Sequence, residues 1–181
     1  ALLSTGDVVI GRASFEVALT AAGAARAAGD AIFSGKFRRA FAAIRPPGHH
    51  ATSSAGMGFC LFNNAALVAR HIQQAHGVKK VLIVDWDLHH GNGTQEIFYS
   101  DPSVLYFSTH QAGIYPHTGF DEEQGAGDAV GTTINCPIAG WPGSRKVVLA
   151  ACHEILIPRA DQFKPDAIII SCGFDAHQSD P

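Results

Sequence analysis

Asp85, Asp87 and His89 occupy alternate positions in the run Asp85-Trp-Asp87-Leu-His89-His90-Gly-Asn92-Gly. In an extended chain, alternate side chains point to one side, so two carboxylates and an imidazole would converge. Left to itself such a cluster is costly to bury, through desolvation and mutual repulsion. A divalent cation removes that cost. Two further segments end in residues of the same kind: Cys172-Gly-Phe-Asp175-Ala-His177 and Pro46-Pro-Gly-His49-His50. Structural zinc sites tend to be closed by four Cys or His ligands, whereas three mixed nitrogen and oxygen ligands leave a position for water, which suits hydrolysis. Each residue alone has an ordinary explanation: a hydrogen-bonded histidine, a helix-capping Asp175, a satisfied buried Asp85. Their joint occurrence argues for a metal centre. The glycines nearby (Gly48, Gly58, Gly91, Gly93 and Gly173) either permit turns or let backbone approach a substrate. His71, His76, His110, His117, His153 and His177 lack comparable support and read as ordinary polar residues.

The elements that must position these residues alternate between apolar strands and helices. Residues 81–84 form a continuous apolar run, as expected of a strand buried on both faces of a parallel sheet. Residues 104–108 and 167–171 read as further strands, and 41–44 as a short one entering Arg45-Pro-Pro-Gly48. Ser14 is expected to cap a helix running to about residue 33, with Phe15, Leu19 and Ala22 on one face. Asn63 or Asn64 caps a second helix carrying Leu67, Val68 and Ile72 and stopping at Gly77. A third opens at Ser144, with a kink expected at Pro158. This order predicts an α/β fold, a three-layer sandwich with a mostly parallel central sheet. Ligands in such sheets collect at the carboxyl ends of the strands, so one sheet edge would gather Asp85, Asp87, His89, Asp175, His49 and His50.

Composition narrows the function classes. The 181 residues carry a formal net charge of −3, and the 13 Lys and Arg are scattered rather than striped, which argues against direct nucleic-acid binding. No apolar run approaches the roughly eighteen residues of a membrane span, and no secretory leader opens the chain. The four cysteines (Cys60, Cys136, Cys152 and Cys172) form no C-x-x-C pair. They read as reduced thiols of a cytoplasmic protein.

Four motifs, Arg45-Pro-Pro-Gly-His-His-Ala51, Gly58-Phe-Cys-Leu-Phe-Asn-Asn64, Asp85-Trp-Asp-Leu-His-His-Gly-Asn-Gly-Thr-Gln95 and Gly173-Phe-Asp175, closely resemble the metal-dependent histone deacetylases. That superfamily includes bacterial histone-deacetylase-like amidohydrolases, acetylpolyamine amidohydrolases and acetoin-utilisation proteins. The resemblance covers nearly the whole chain, and the Pro-Pro, Trp86 and Asn92 look like the class II branch. It implies zinc held by Asp87, His89 and Asp175. It implies that His49 and His50 are the tandem pair beside the catalytic water, with Asp85 bonded to His49 and Asn92 beside His50. It implies a monovalent cation, usually potassium, caged by Asp85, main-chain oxygens of Asp87 and His89, and the Ser108–Thr109 stretch. Gly58, Phe59 and Tyr115 match the wall of an acyl-lysine channel, with Tyr115 standing where many relatives have Phe.

The family's catalytic tyrosine lies beyond the Gly-Phe-Asp motif, and Tyr99, Tyr106 and Tyr115 occupy other contexts. The chain is therefore expected to be a single catalytic domain, 1–181, that is an internal fragment lacking an N-terminal loop region and the tyrosine segment. The expected substrate is an acetylated lysine peptide or a small acetylated amine, and a homo-oligomer is compatible with the sequence. Two other readings stay open. One is a ureohydrolase-like enzyme with paired metals, which needs more carboxylates at the strand ends. The other is an inactive metal-binding or interaction module.

Overall fold

The structure, a computed structural model, describes residues 1–140 and 144–180, with Ser144 described by its backbone alone. They fall into two compact units, Ala1–Val78 and Lys79 onward.

The first unit is built on two helices. Helix α1 spans Ser14–Phe33 and α2 spans Asn64–His76. Asn63 caps α2 as expected: its side chain accepts a hydrogen bond from the Ala66 N–H, and Gly77 ends the helix at φ 71°. That left-handed position is one glycine takes without a Cβ penalty. Two expectations for α1 fail. Ser14 is already helical, and Ala13 precedes it without a side-chain cap; the Ser14 hydroxyl instead accepts from Gly11 N at 2.9 Å. The buried face is the small-residue stripe Ala18, Ala21, Ala25 and Gly29, while Phe15 and Leu19 are exposed. Small residues let the two helix backbones approach: a Cβ at Gly29 would sit 3.1 Å from Ile72 and 3.4 Å from Val68. The strand expected at 41–44 does not form. The segment is irregular, and Phe41 is exposed. An extended segment with no ladder partner gains nothing to offset its ordering entropy.

The second unit holds a parallel sheet. Its strands are β1 (Val81–Asp85), β2 (Val104–Gln111), β3 (Thr133–Ile138) and β4 (Ala167–Ser171), in the order β3-β2-β1-β4. Strand β1 is buried along its whole length, as its uninterrupted apolar run requires. Strand β3, for which the sequence analysis assigns no strand, contains Pro137. A proline removes a ladder donor, and β3 lies at the edge of the described sheet, where that is tolerated. A short helix α3 (Asn92–Phe98) follows β1. Helix α4 (Ser144–Ala151) passes through a π-helical turn, Cys152–Leu156, into α5 (Ile157–Phe163). Pro158 sits at the start of α5 and lacks the N–H that would bond one turn back, so the preceding turn widens where a kink was expected. One face of the sheet packs Leu82, Val84, Leu105 and Phe107 against Ala151, Leu156, Ala160 and Phe163.

Topology places the site. The chain leaves β1 for β2 on one side and returns as β4 on the other. The strand order therefore reverses between β1 and β4, and in parallel sheets the carboxyl-end crevice at such a point is where ligands bind.

Candidate metal centre

Asp85 ends β1 in register with Ser171 of β4. One step on, Trp86 N–H bonds to the Ser171 carbonyl at 3.3 Å, so the two strands remain side by side as they leave the sheet. That keeps Asp87 and Asp175, 88 positions apart in sequence, on one rim. His89 Nδ1 lies 2.8 Å from Asp175 Oδ2 and 3.1 Å from Asp87 Oδ1. The three residues form a cluster whose candidate ligand atoms all lie within 4.8 Å of one another.

Backbone donors fix the two carboxylates. His89 N–H donates to Asp87 Oδ1 at 2.8 Å, and Leu88 N–H donates to Asp175 Oδ1 at 3.0 Å. Gly173 makes room for this arrangement, since a Cβ there would run into the Asp87 carboxylate. The electrostatics follow. Hydrogen bonds to Asp175 and then Asp87, against a smaller desolvation effect, push the His89 imidazole up to about 10. Burial acts to raise the Asp175 carboxyl, but bonds with His89, Leu88 N–H and Asp87 outweigh it and hold that group at about 2. In the metal-free protein the His89 proton thus supplies the positive charge that two adjacent carboxylates require. Two carboxylates and one imidazole, held by backbone and partly open to solvent, are a donor set that fits a divalent zinc-type cation with a position left for water.

Asp85 lies just beneath. It is fully buried, with Oδ1 accepting the Asp87 N–H at 3.3 Å and Oδ2 accepting the Tyr106 hydroxyl at 3.3 Å. Burial and then the Asp85 charge push the Tyr106 phenol well above its usual range, so it remains a donor. The sequence reading missed Tyr106; a polar tip inside the apolar strand 104–108 was the available signal. Ser108 pairs in register with Asp85, and Ser108 and Thr109 are both buried. The Tyr115 ring stands edge-on to His89 with centroids 6.4 Å apart. Asn92 opens α3, its N–H bonding to the His90 carbonyl at 2.9 Å.

His90 and His110 carry a role that sequence reasoning did not see. His90 is buried, with Nδ1 2.7 Å from Thr118 Oγ1 and Nε2 3.1 Å from Gln95 Oε1. His110 bonds through Nδ1 to Ser108 Oγ at 2.9 Å and through Nε2 to the Gly119 carbonyl at 2.9 Å. Burial lowers the His110 pKa. This network ties the loop after β2 to the end of β1.

The first unit holds the histidine pair. His49 and His50 are buried, with ring centroids 4.0 Å apart at 46°. Asn63 and Asn64 fasten their loop to the start of α2: Asn63 Nδ2 donates to the Ala51 carbonyl at 3.1 Å and Asn64 Nδ2 to the Pro46 carbonyl at 3.2 Å. Gly58 and Phe59 form a tight turn with φ of 54° and 63°, and the Gly58 N–H bonds to Asp7 Oδ2 at 2.7 Å. A Cβ at Gly58 would strike the His50 ring. Phe59 is 70% exposed; a bulky residue at positive φ is uncommon, and such backbone clusters at functional sites. None of the four cysteines is joined in a disulfide, and Cys60 alone of them is buried.

The family model for the histone deacetylase domain matches residues 2–181. Histone deacetylase 14, chloroplastic, of Arabidopsis thaliana is 45% identical over 93% of this chain and 41% of its own length. A probable deacetylase of Archaeoglobus fulgidus is 46% identical over 92% of this chain and 46% of its own. Among solved structures, the crystal structure of the HDA15 HD domain superposes with a TM-score of 0.94 at 46% identity, covering 99% of this chain and 54% of that one. The chain thus spans under half the length of these two curated relatives. With a family match along almost its entire length and a shared fold at high identity, the chain belongs to the histone deacetylase domain family.

Proposed function

We propose that this chain carries the metal-binding core of a zinc-dependent deacetylase, which hydrolyses an N-acetyl amide of acetyl-lysine or of a small acetylated amine to acetate and free amine. The observation that supports it most is the convergence of Asp87, His89 and Asp175 at the ends of two adjacent parallel strands. Asp87, His89 and Asp175 would hold the ion. When bound, zinc supplies Lewis acidity that activates water and polarises the acetyl carbonyl. The remaining chemistry belongs to the chain. His50 takes a proton from the attacking water and returns it to the leaving amine. His49 would offer electrostatic stabilisation, the role its likeness to the family's carboxylate-paired histidine implies. Asn92 would take the place the resemblance gives the partner of His50. Asp85, main-chain oxygens of Asp87 and His89, and Ser108 with Thr109 would hold a monovalent cation of the potassium type. Gly58 and Phe59 of the first unit and Tyr115 of the second match the family's acyl-channel residues, and Tyr115 would add a hydroxyl where many relatives have Phe.

The test is turnover of a fluorogenic acetyl-lysine peptide by zinc-loaded protein, with His50→Ala and Asp175→Ala alongside. Acetate release that depends on both residues supports the reading. Equal turnover in wild type and both variants contradicts it.

A further inference from the structure

Among the described residues, two groups of three side chains bring metal-ligating atoms together. One is the strand-end centre. The other lies wholly in the first unit and is unconnected with the acetyl-lysine chemistry. Asp30, in the last turn of α1, places Oδ1 2.6 Å from His71 Nε2 and 2.7 Å from His76 Nε2. His71 and His76 are both on α2, and His76 is its final residue. Both imidazoles aim the same ring nitrogen at the same oxygen. The Phe33 ring stacks on His76 with centroids 5.6 Å apart at 28°, which fixes that imidazole from its other side.

From this arrangement we propose that Asp30, His71 and His76 form a second metal site, for a divalent transition-metal ion of the zinc type, that pins the carboxyl ends of α1 and α2 together. Three arguments carry it. The donor set is two imidazoles and a carboxylate, which suits zinc, copper or nickel and does not suit magnesium or calcium. Ligand atoms around a tetrahedral zinc stand about 3.3 Å apart; Asp30 Oδ1, now 2.6 and 2.7 Å from the two imidazole nitrogens, needs to separate from each by only about 0.7 Å, within reach of side-chain rotation. Third, the local field favours a cation. Contacts advance the same way along both helices, from Gly29 against Val68 and Ile72 to Phe33 against His76. Both helix ends therefore bring their negative carboxyl poles to this spot. Asp30 adds a full charge there, and α1 has no basic residue in its last turn. The side chains of His71 and His76 are 24% and 23% exposed and that of Asp30 is 44% exposed, so an ion could enter from solvent and keep a water.

The experiment is calorimetric titration of the metal-stripped 181-residue protein with Zn2+ alone. Two equivalents should bind. Asp175→Ala should remove one and leave the other. His71→Gln combined with His76→Gln should remove the second and leave the first, because glutamine still donates to Asp30 but offers no imidazole lone pair. Each single replacement should weaken the second site by at least the roughly 10–100-fold typical of losing an outer-sphere partner. Far-UV circular dichroism of each variant confirms that α1 and α2 persist. In the Asp175→Ala protein, Zn2+ should raise the melting temperature, and the added Gln pair should abolish that shift. A Gln pair that retains the second equivalent, or an Asp175→Ala protein that binds no Zn2+, would show the trio to be a hydrogen-bonded contact only. The deacetylase reading would stand in either case.

Discussion

At the strand ends, each carboxylate takes a backbone N–H, from His89 to Asp87 and from Leu88 to Asp175. At the helix ends, Asp30 is held by two imidazoles, themselves positioned by ring packing. The ligand sets mirror each other: two carboxylates and one imidazole against one carboxylate and two imidazoles. A sheet rim fixes its ligands through main chain, so geometry survives whatever approaches from solvent, as catalysis needs. A helix pair fixes its ligands through side chains and packing, which suits a staple whose service is to join elements.

The comparison can be broken most sharply with activity. His50→Ala should lower deacetylation by about 10²–10⁴-fold, the usual worth of a positioned acid–base group, with zinc stoichiometry unchanged. The His71→Gln/His76→Gln pair should leave turnover near wild type. Steady-state assay on zinc-loaded full-length protein, extended through the tyrosine segment, reads both. Parallel loss of zinc and turnover in His50→Ala would make His50 a ligand instead.

Backbone construction at the rim is tested next. Gly173→Ala should drive a methyl into the Asp87 carboxylate and weaken zinc at the strand ends by about 10–100-fold, comparable to losing an outer-sphere partner. Dialysis against buffered zinc measures this. Wild-type affinity would mean that Asp87 has room to shift.

Proton linkage is a smaller effect. Zinc must displace the proton from His89, whose pKa is about 10, so strand-end affinity should rise about tenfold per pH unit between pH 7 and 9. The helix-end Gln pair gives a clean background. In the metal-free protein the signs are opposite for the two partners. His89, raised from 6.5, contributes stability in full below pH 6.5 and loses it as pH rises through about 10. Asp175, lowered from 3.8, contributes in full above pH 3.8 and loses it as pH falls through about 2. Melting without zinc should therefore be most favourable, as far as this pair contributes, between those limits. A flat zinc affinity from pH 7 to 9 would show that His89 is already neutral.

The smallest effect concerns the staple. Gly77 holds φ 71° directly after His76, and Gly77→Ala should cost about 1–2 kcal/mol. Denaturant unfolding gives the value. A cost near zero would show that the α2 end relaxes freely.

Much of the rim was legible in the sequence. The apolar run 81–84 dictated a buried strand with Asp87 and His89 just beyond it, but the chain bends over 87–89 instead of staying extended, so Asp85 does not join the cluster and Asp175 does. Asn63 and Gly77 marked both ends of α2 through capping chemistry that is local. Interactions between elements were harder to read. Phe15 and Leu19 dominate the apolar pattern of α1, yet the alanine stripe is what packs, because helix separation is decided by both partners. The segment 41–44 has strand-like residues but no ladder. Asp30 lies 41 positions from His71, and the five-residue spacing of His71 and His76 matches no helical face, so only the packed helix pair brings them together.

The central claim is that Asp87, His89 and Asp175 are a metal centre, and metal content tests it most directly. The His71→Gln/His76→Gln protein and the same protein carrying Asp175→Ala as well, each equilibrated with Zn2+ and freed of excess, should differ by one equivalent per chain, with the ion of the former held by one strand-end imidazole and carboxylate oxygens in X-ray absorption. Equal zinc in the two proteins would remove Asp175 from the site and contradict the account.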